Sequence, residues 1–229
     1  MFKPLLLVAL LAGAVSARAD TYTTLALPTL NADLRASLGG AAYVPLFPGL
    51  HNWTGVPFQL STNQAGHTSF IDGVLDIPVG VFGVTSAYTL INSAFGVFGA
   101  NNGSVEFFGT SAYYKVDLIQ GQNIRDHLNN VFNNVIDGIS AVQAFVDGWA
   151  RLDQQNYTLP SAFASETLVS MRFTSLNLGN PGGIAFINAA TVAVATPVPE
   201  PASALLLLGG GAALLAWRRR GDDRPRSSV

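Results

Sequence analysis

The chain is 229 residues long, 49% hydrophobic, with a formal net charge of −2 and no cysteine. The missing cysteine excludes disulfides, thiolate metal sites and a cysteine nucleophile. Twelve basic residues against fourteen acidic ones leave no basic excess of the kind a phosphate backbone requires, which argues against nucleic acid as a partner.

At the start of the chain Lys3 gives a positive n-region, Leu5–Val15 an apolar h-region and Ala17-Arg18-Ala19 an A-x-A cleavage site. This order predicts a helical signal peptide over residues 1–19, read by the Sec translocon and removed by signal peptidase to leave Asp20 first. The eleven-residue h-region is too short for a stable membrane span.

Residues 20–195 predict one exported domain with a core of its own. Five basic residues stand there against eleven acidic ones, a formal charge of −6. Asn31–Leu38 suits a short helix capped by Asn31. Strands are predicted at Val56–Leu60, at Val74–Val79 with Pro78 marking an edge or a bend, and at a half-buried Val84–Asn92. Ser104–Thr110 and Tyr113–Leu118 predict a hairpin in which Phe107 and Phe108 face opposite sides. Asp126–Ile139 places Leu128, Val131, Phe132, Val135, Ile136 and Ile139 on one helical face, but its asparagines disfavour a helix. It is expected to be a helical or irregular crossing at one end of the fold. A second hairpin is expected from Ala141–Asp147 and Arg151–Tyr157 around Gly148-Trp149. Val169, Met171 and Phe173 alternate with Ser170, Arg172 and Thr174, and Gly183–Val194 is the last long strand. Short strands spaced by turn residues predict an all-β, antiparallel sandwich or barrel.

The end of the chain has a different character. A Pro-rich linker at 196–201 holds Pro199-Glu200-Pro201, Ala202–Trp217 carries no charge, and Arg218-Arg219-Arg220 opens a basic tail over 218–229. Sixteen residues of helix rise about 24 Å, against roughly 30 Å of bilayer hydrocarbon, so residues 202–217 predict a marginal transmembrane helix. The arginines belong on the cytoplasmic side.

These residues resemble the PEP-CTERM sorting signal of Gram-negative bacteria. The resemblance implies recognition of Pro199, Glu200 and Pro201 by an exosortase, an integral-membrane protease. It also implies a transient anchor stopped by Arg218, Arg219 and Arg220, and delivery of the body to the cell surface or extracellular matrix. The body resembles exported galactose-binding-like and carbohydrate-binding domains in Gly55-Val56-Pro57-Phe58, Ile77-Pro78-Val79, Gly83–Asn92, Asn123–Asp126, Arg151-Leu152-Asp153 and Leu159-Pro160. That likeness implies a jelly-roll-like β-sandwich and no established ligand residue.

Two activities compete. A non-enzymatic domain that binds carbohydrate or exopolysaccharide, or serves as matrix structure, needs exposed aromatic faces edged by polar groups. Trp53, Trp149 and Tyr113 are the candidates, with Arg125 and Asp126 as polar neighbours, although the latter two also suit an internal ion pair. A glycan hydrolase needs two facing carboxylates, for which Asp72 with Asp76, or Asp147 with Asp153, are the choices. His51, His67 and His127 lack metal spacing and are expected in solvated loops. No cofactor or metal is expected. Asn52-Trp53-Thr54, Asn102-Gly103-Ser104 and Asn156-Tyr157-Thr158 match glycosylation sequons and are expected in exposed polar loops.

Overall fold

The computed structural model describes residues 18–36, 40–130 and 132–197. Residues 1–17 of the expected signal helix with the cleavage residue Ala17, the transmembrane helix at 202–217, the basic tail and the sorting triplet Pro199-Glu200-Pro201 lie outside them, whereas Arg18 and Ala19, expected to end the signal helix, open a strand instead. No helix among the described residues is long and apolar enough to cross a membrane.

Among the described residues twelve strands carry the fold: β1 (Arg18–Leu25), β2 (Gly49–Trp53), β3 (Val56–Leu60), β4 (Phe70–Ile71), β5 (Gly73–Phe82), β6 (Ser86–Ala94), β7 (Asn101–Gly109), β8 (Tyr113–Ile119), β9 (Ala141–Asp147), β10 (Ala150–Thr158), β11 (Thr167–Ser175) and β12 (Ile184–Pro197). A large sheet runs β1-β12-β6-β10-β9 with β4 also on β12, and a four-stranded sheet runs β5-β11-β7-β8. The two sheets pack as a sandwich. Ile77, Val105, Phe107, Met171 and Phe173 from the smaller sheet share one core with Ala87, Ile91, Tyr157, Ala190 and Val192 from the larger. The all-β sandwich expected from the sequence is therefore present.

The larger sheet is buried on its other face too. Leu90, Leu152, Phe186 and Ala189 point away from the sandwich into a second cluster with Tyr43, Leu46, Val56, Phe58 and Leu60. The β2–β3 hairpin and a 3-10 helix over Gly40–Leu46 supply that cover. Strand β6 is consequently buried on both faces from Thr89 to Ala94, where the sequence predicted a half-buried strand. Its residues Thr89, Asn92 and Ser93 are polar, which disguises a central strand.

Bulges explain the other breaks in alternation. The β12 register slips at Asn188, so Ala185 and Ile187 face the sandwich before the slip and Ala190 and Val192 after it. In β11 a shift between Leu168 and Ser170 turns Val169 outward, half exposed, out of the expected series with Met171 and Phe173. The same shift faces Gly80, whose φ of 69° suits glycine, beside Pro78 on the outermost strand. Pro78 thus marks both an edge and a bend.

Several expectations are corrected. Asn31 caps no helix. Its side chain accepts from the Ile71 N–H at 2.8 Å and donates to the Ile71 carbonyl at 2.8 Å, as a strand neighbour would. Asp33 caps the turn instead, accepting from the N–H of Arg35 at 3.0 Å. The Asp126–Ile139 stretch takes the irregular of its two expected forms wherever it is described, because Asp126, Asn133 and Asp137 bond to nearby backbone N–H groups instead of leaving them to a helix. Strand β12 runs to Pro197, so the first two residues of the expected linker belong to the sheet. Asn102-Gly103-Ser104 and Asn156-Tyr157-Thr158 lie within β7 and β10, with Asn102, Ser104 and Tyr157 buried, so neither is a loop.

Candidate functional site

The loops at the end of the sheets marked by Ala94 and Ala150 carry most of the chemistry. Arg151, buried at the start of β10, organises them. Its Nε donates to the Asp126 carbonyl at 2.8 Å, and its Nη atoms donate to Asn129 Oδ1 and Asn134 Oδ1, both at 3.2 Å. Arg125 makes a bidentate pair with the fully buried Asp153, at 2.8 Å on both arms, and Asn92 Nδ2 adds a third bond at 2.8 Å. The sequence suggested an ion pair within Arg125-Asp126. Arg125 does pin the loop, but its partner is Asp153. Two arginines thus lash residues 125–134 onto the central strands. A forked guanidinium–carboxylate pair of this kind is short and strong, and removing one partner leaves a buried charge.

Asp126 faces inward. Its carboxylate accepts from the N–H groups of Phe95 and Leu128, both at 2.8 Å. Burial pushes its pKa from the ordinary 3.8 up to about 6. It therefore holds the backbone of Phe95, which has a φ of 60°. Asn130 and Phe132 are left-handed as well, with φ values of 61° and 48°. Such angles are outliers for an aromatic residue and persist only where the surroundings enforce them. The rings of Phe95 and Phe132 meet edge to face at 5.5 Å.

His127, expected in solvent, is buried. The Tyr43 hydroxyl donates to the Arg151 carbonyl at 3.0 Å and lies 3.2 Å from His127 Nδ1. Burial, reinforced by Arg151, pulls its pKa from 6.5 down to about 3, and the ring stays neutral. His51 stacks on Trp53 at 4.8 Å, and His67 Nδ1 lies 3.1 Å from the Leu30 carbonyl. Among the described residues no three carboxylate or imidazole groups gather as a metal site needs.

The candidate ligand residues separate in space. Trp149 sits at the β9–β10 turn, 75% exposed, and lines an open hollow with Asn129, Asn130 and Gly148. Asn129 fixes that turn: its N–H donates to the Trp149 carbonyl at 2.8 Å and its side chain to the Gly148 carbonyl at 2.6 Å. Arg125 and Asp126 lie beneath this end as supports. Trp53 is half-buried on the rim of the second core, against Phe58 and Phe145. Tyr113 is on the outer face of the four-stranded sheet and donates to Glu106 at 2.5 Å. Neither carboxylate pair is brought face to face. Asp147 pairs in register with Ala150 and Asp153 with Gln143, four residues along β9, which is about 13 Å of strand. Asp76 is held by Arg172 at 2.7 Å, and Asp72 accepts from Asn177 at 3.2 Å.

Sequence reasoning missed Arg151 and the asparagines. The signal was present in Asn129-Asn130 and Asn133-Asn134, since asparagine tolerates left-handed backbone and closes Asx turns.

The family model of the PEP-CTERM protein-sorting motif matches residues 197–220. The chain carries this sorting motif. No curated protein matches the chain in sequence. The PEP-CTERM match spans Pro199-Glu200-Pro201, the apolar segment and Arg218-Arg219-Arg220, in the order expected of them. A PEP-CTERM motif is a recognition signal for exosortase processing and implies export with membrane-associated sorting to the cell surface. Strand β12 leads into the matched segment at Pro197.

Proposed function

We propose that residues 20–195 form a non-enzymatic domain of jelly-roll type that binds carbohydrate at the cell surface or in the extracellular matrix. In this reading the Sec translocon and signal peptidase process the leader, with Ala17 and Ala19 at the cut, and an exosortase removes the tail. The observation that carries the binding role is Trp149. A large ring held three-quarters exposed on a turn that Asn129 clamps is a preformed stacking surface for a sugar ring, with the Asn130 amide beside it for the hydroxyls. Such a ring loses little entropy when it is covered. The support for a non-hydrolytic role is that Asp76 and Asp153 are each committed to an arginine.

The test is binding of purified residues 20–195 to a panel of bacterial exopolysaccharides. Trp149→Ala is expected to weaken binding at least about fivefold without moving the melting temperature, taking stacking of a sugar on one exposed ring as comparable to the about 1–3 kcal/mol of a stacked nucleobase. Turnover of a glycan, abolished by a single Asp→Asn change, would replace this reading with that of a hydrolase. Absence of both binding and turnover would assign the body a structural matrix role.

A further inference from the structure

The outer face of the four-stranded sheet carries a row of four charged residues in register. Arg172 of β11 stands opposite Asp76 of β5 and Glu106 of β7, and Glu106 stands opposite Lys115 of β8. Across the sheet the charges alternate: Asp76 negative, Arg172 positive, Glu106 negative, Lys115 positive. Val74, Phe82, Tyr113 and the bulged Val169 are large apolar side chains exposed along the same strands.

The charges of this face are already partnered. Arg172 is bidentate on Asp76 at 2.7 and 3.1 Å and lies 5.4 Å over the Phe108 ring. Lys115 holds Asp117 at 3.1 Å, and Tyr113 donates to Glu106. With Asp117 included the face sums to −1, while the whole body carries −6. Like-charge repulsion between two copies of this face is therefore small.

From this alternation we infer that the face pairs with the same face of a second copy of the chain. A twofold axis lying in the face, along the strands between β11 and β7, reverses the strand order and keeps each residue at its height. Asp76 then meets Lys115 of the second copy, and Arg172 meets its Glu106, so every charge in the row meets its opposite. Self-complementarity of this kind is what an isologous interface requires. Sheets packed face to face keep their strands within about 30°. At that angle the outermost residues of a row spaced at about 4.8 Å shift by only about 4 Å, within the span of a lysine side chain. Four strands at this spacing over about 20 Å of length give a face of roughly 400 Å² in projection, which places the contact among small, weak interfaces.

The experiment is sedimentation of residues 20–195 across a concentration series at low salt. A monomer–dimer equilibrium is expected. Arg172→Glu alone and Glu106→Arg alone should each raise the dimer Kd at least about tenfold, because like charges then oppose each other twice. An equimolar mixture of the two should recover association, since the mixed pair restores both contacts. Asp76→Lys and Lys115→Glu, on the exposed edge strands, give a second crossed pair whose folding depends least on the row. A body that stays monomeric throughout, or mixtures that associate no better than their components, would overturn the inference. A glycan that binds this face and is lost on Tyr113→Ala, with no dimer, would overturn it as well.

Discussion

Burial moves the neighbouring groups Asp126 and His127 in opposite directions, to about 6 and about 3. Asp126 titrates higher in the folded chain than in the unfolded one, so its contribution to stability grows as pH falls from about 6 towards 4. His127 titrates lower when folded, so its contribution is full above 6.5 and is lost as pH falls towards 3. Between about 4 and 6 the two proton balances oppose each other. Asp126→Asn should leave the histidine term uncompensated, and the variant should lose stability on acidification up to about 1.4 kcal/mol per pH unit more steeply than the parent. His127→Gln should do the reverse. Urea melts at pH 4, 5, 6 and 7 check both signs. The sequence placed Arg125, Asp126 and His127 side by side but could not tell which faced solvent. Asp153 and Arg151, which decide it, come from a strand about 25 positions later.

At the scale of elements, most of the strands were legible, whereas β1, β2, β4 and the bulges were not. Apolar runs bounded by turn residues marked β5 and both hairpins, and period-two alternation marked β11, because one face of that strand is buried. Alternation failed at Val169 and across Asn188, where one extra residue flips the facing of all that follows. The pairing of β7 with β8 also shifts register between Asn101 and Ser104, and this bulge gives a direct test. Gly103 has a φ of 151°, and a Cβ there would lie 1.9 Å from the Thr174 carbonyl oxygen. That neighbour is backbone and is held in the sheet. Gly103→Ala should destabilise the body by more than the roughly 1–3 kcal/mol of an unfavourable backbone conformation alone, measured by denaturant unfolding. The loop after Ile124 takes the irregular of the two forms expected for it. Its apolar spacing suggested a helical face, yet Phe132, Val135 and Ile139 are exposed, and the side chains of Asp126, Asn133 and Asp137 take backbone donors.

For the whole molecule, the sorting motif at 197–220 and the sandwich body are separate statements of one chain. The sorting motif predicts that the mature surface protein lacks the peptide containing Arg218-Arg219-Arg220. Mass spectrometry of the cell-surface fraction should find C-terminal peptides ending before it, and an intact C-terminus there would contradict processing. The motif was legible because a translocation and processing machinery reads local order: a triplet, an apolar run and a basic stop. Composition and alternation likewise sufficed for an acidic, cysteine-free, all-β body, since they record which residues leave water. Only the tertiary structure decided that the larger sheet is covered on both faces, that Arg125 belongs to Asp153, and that Trp149 stands exposed while Trp53 is packed. Each of these depends on strands that pair far apart in sequence, and burial of a side chain is fixed by what arrives opposite it.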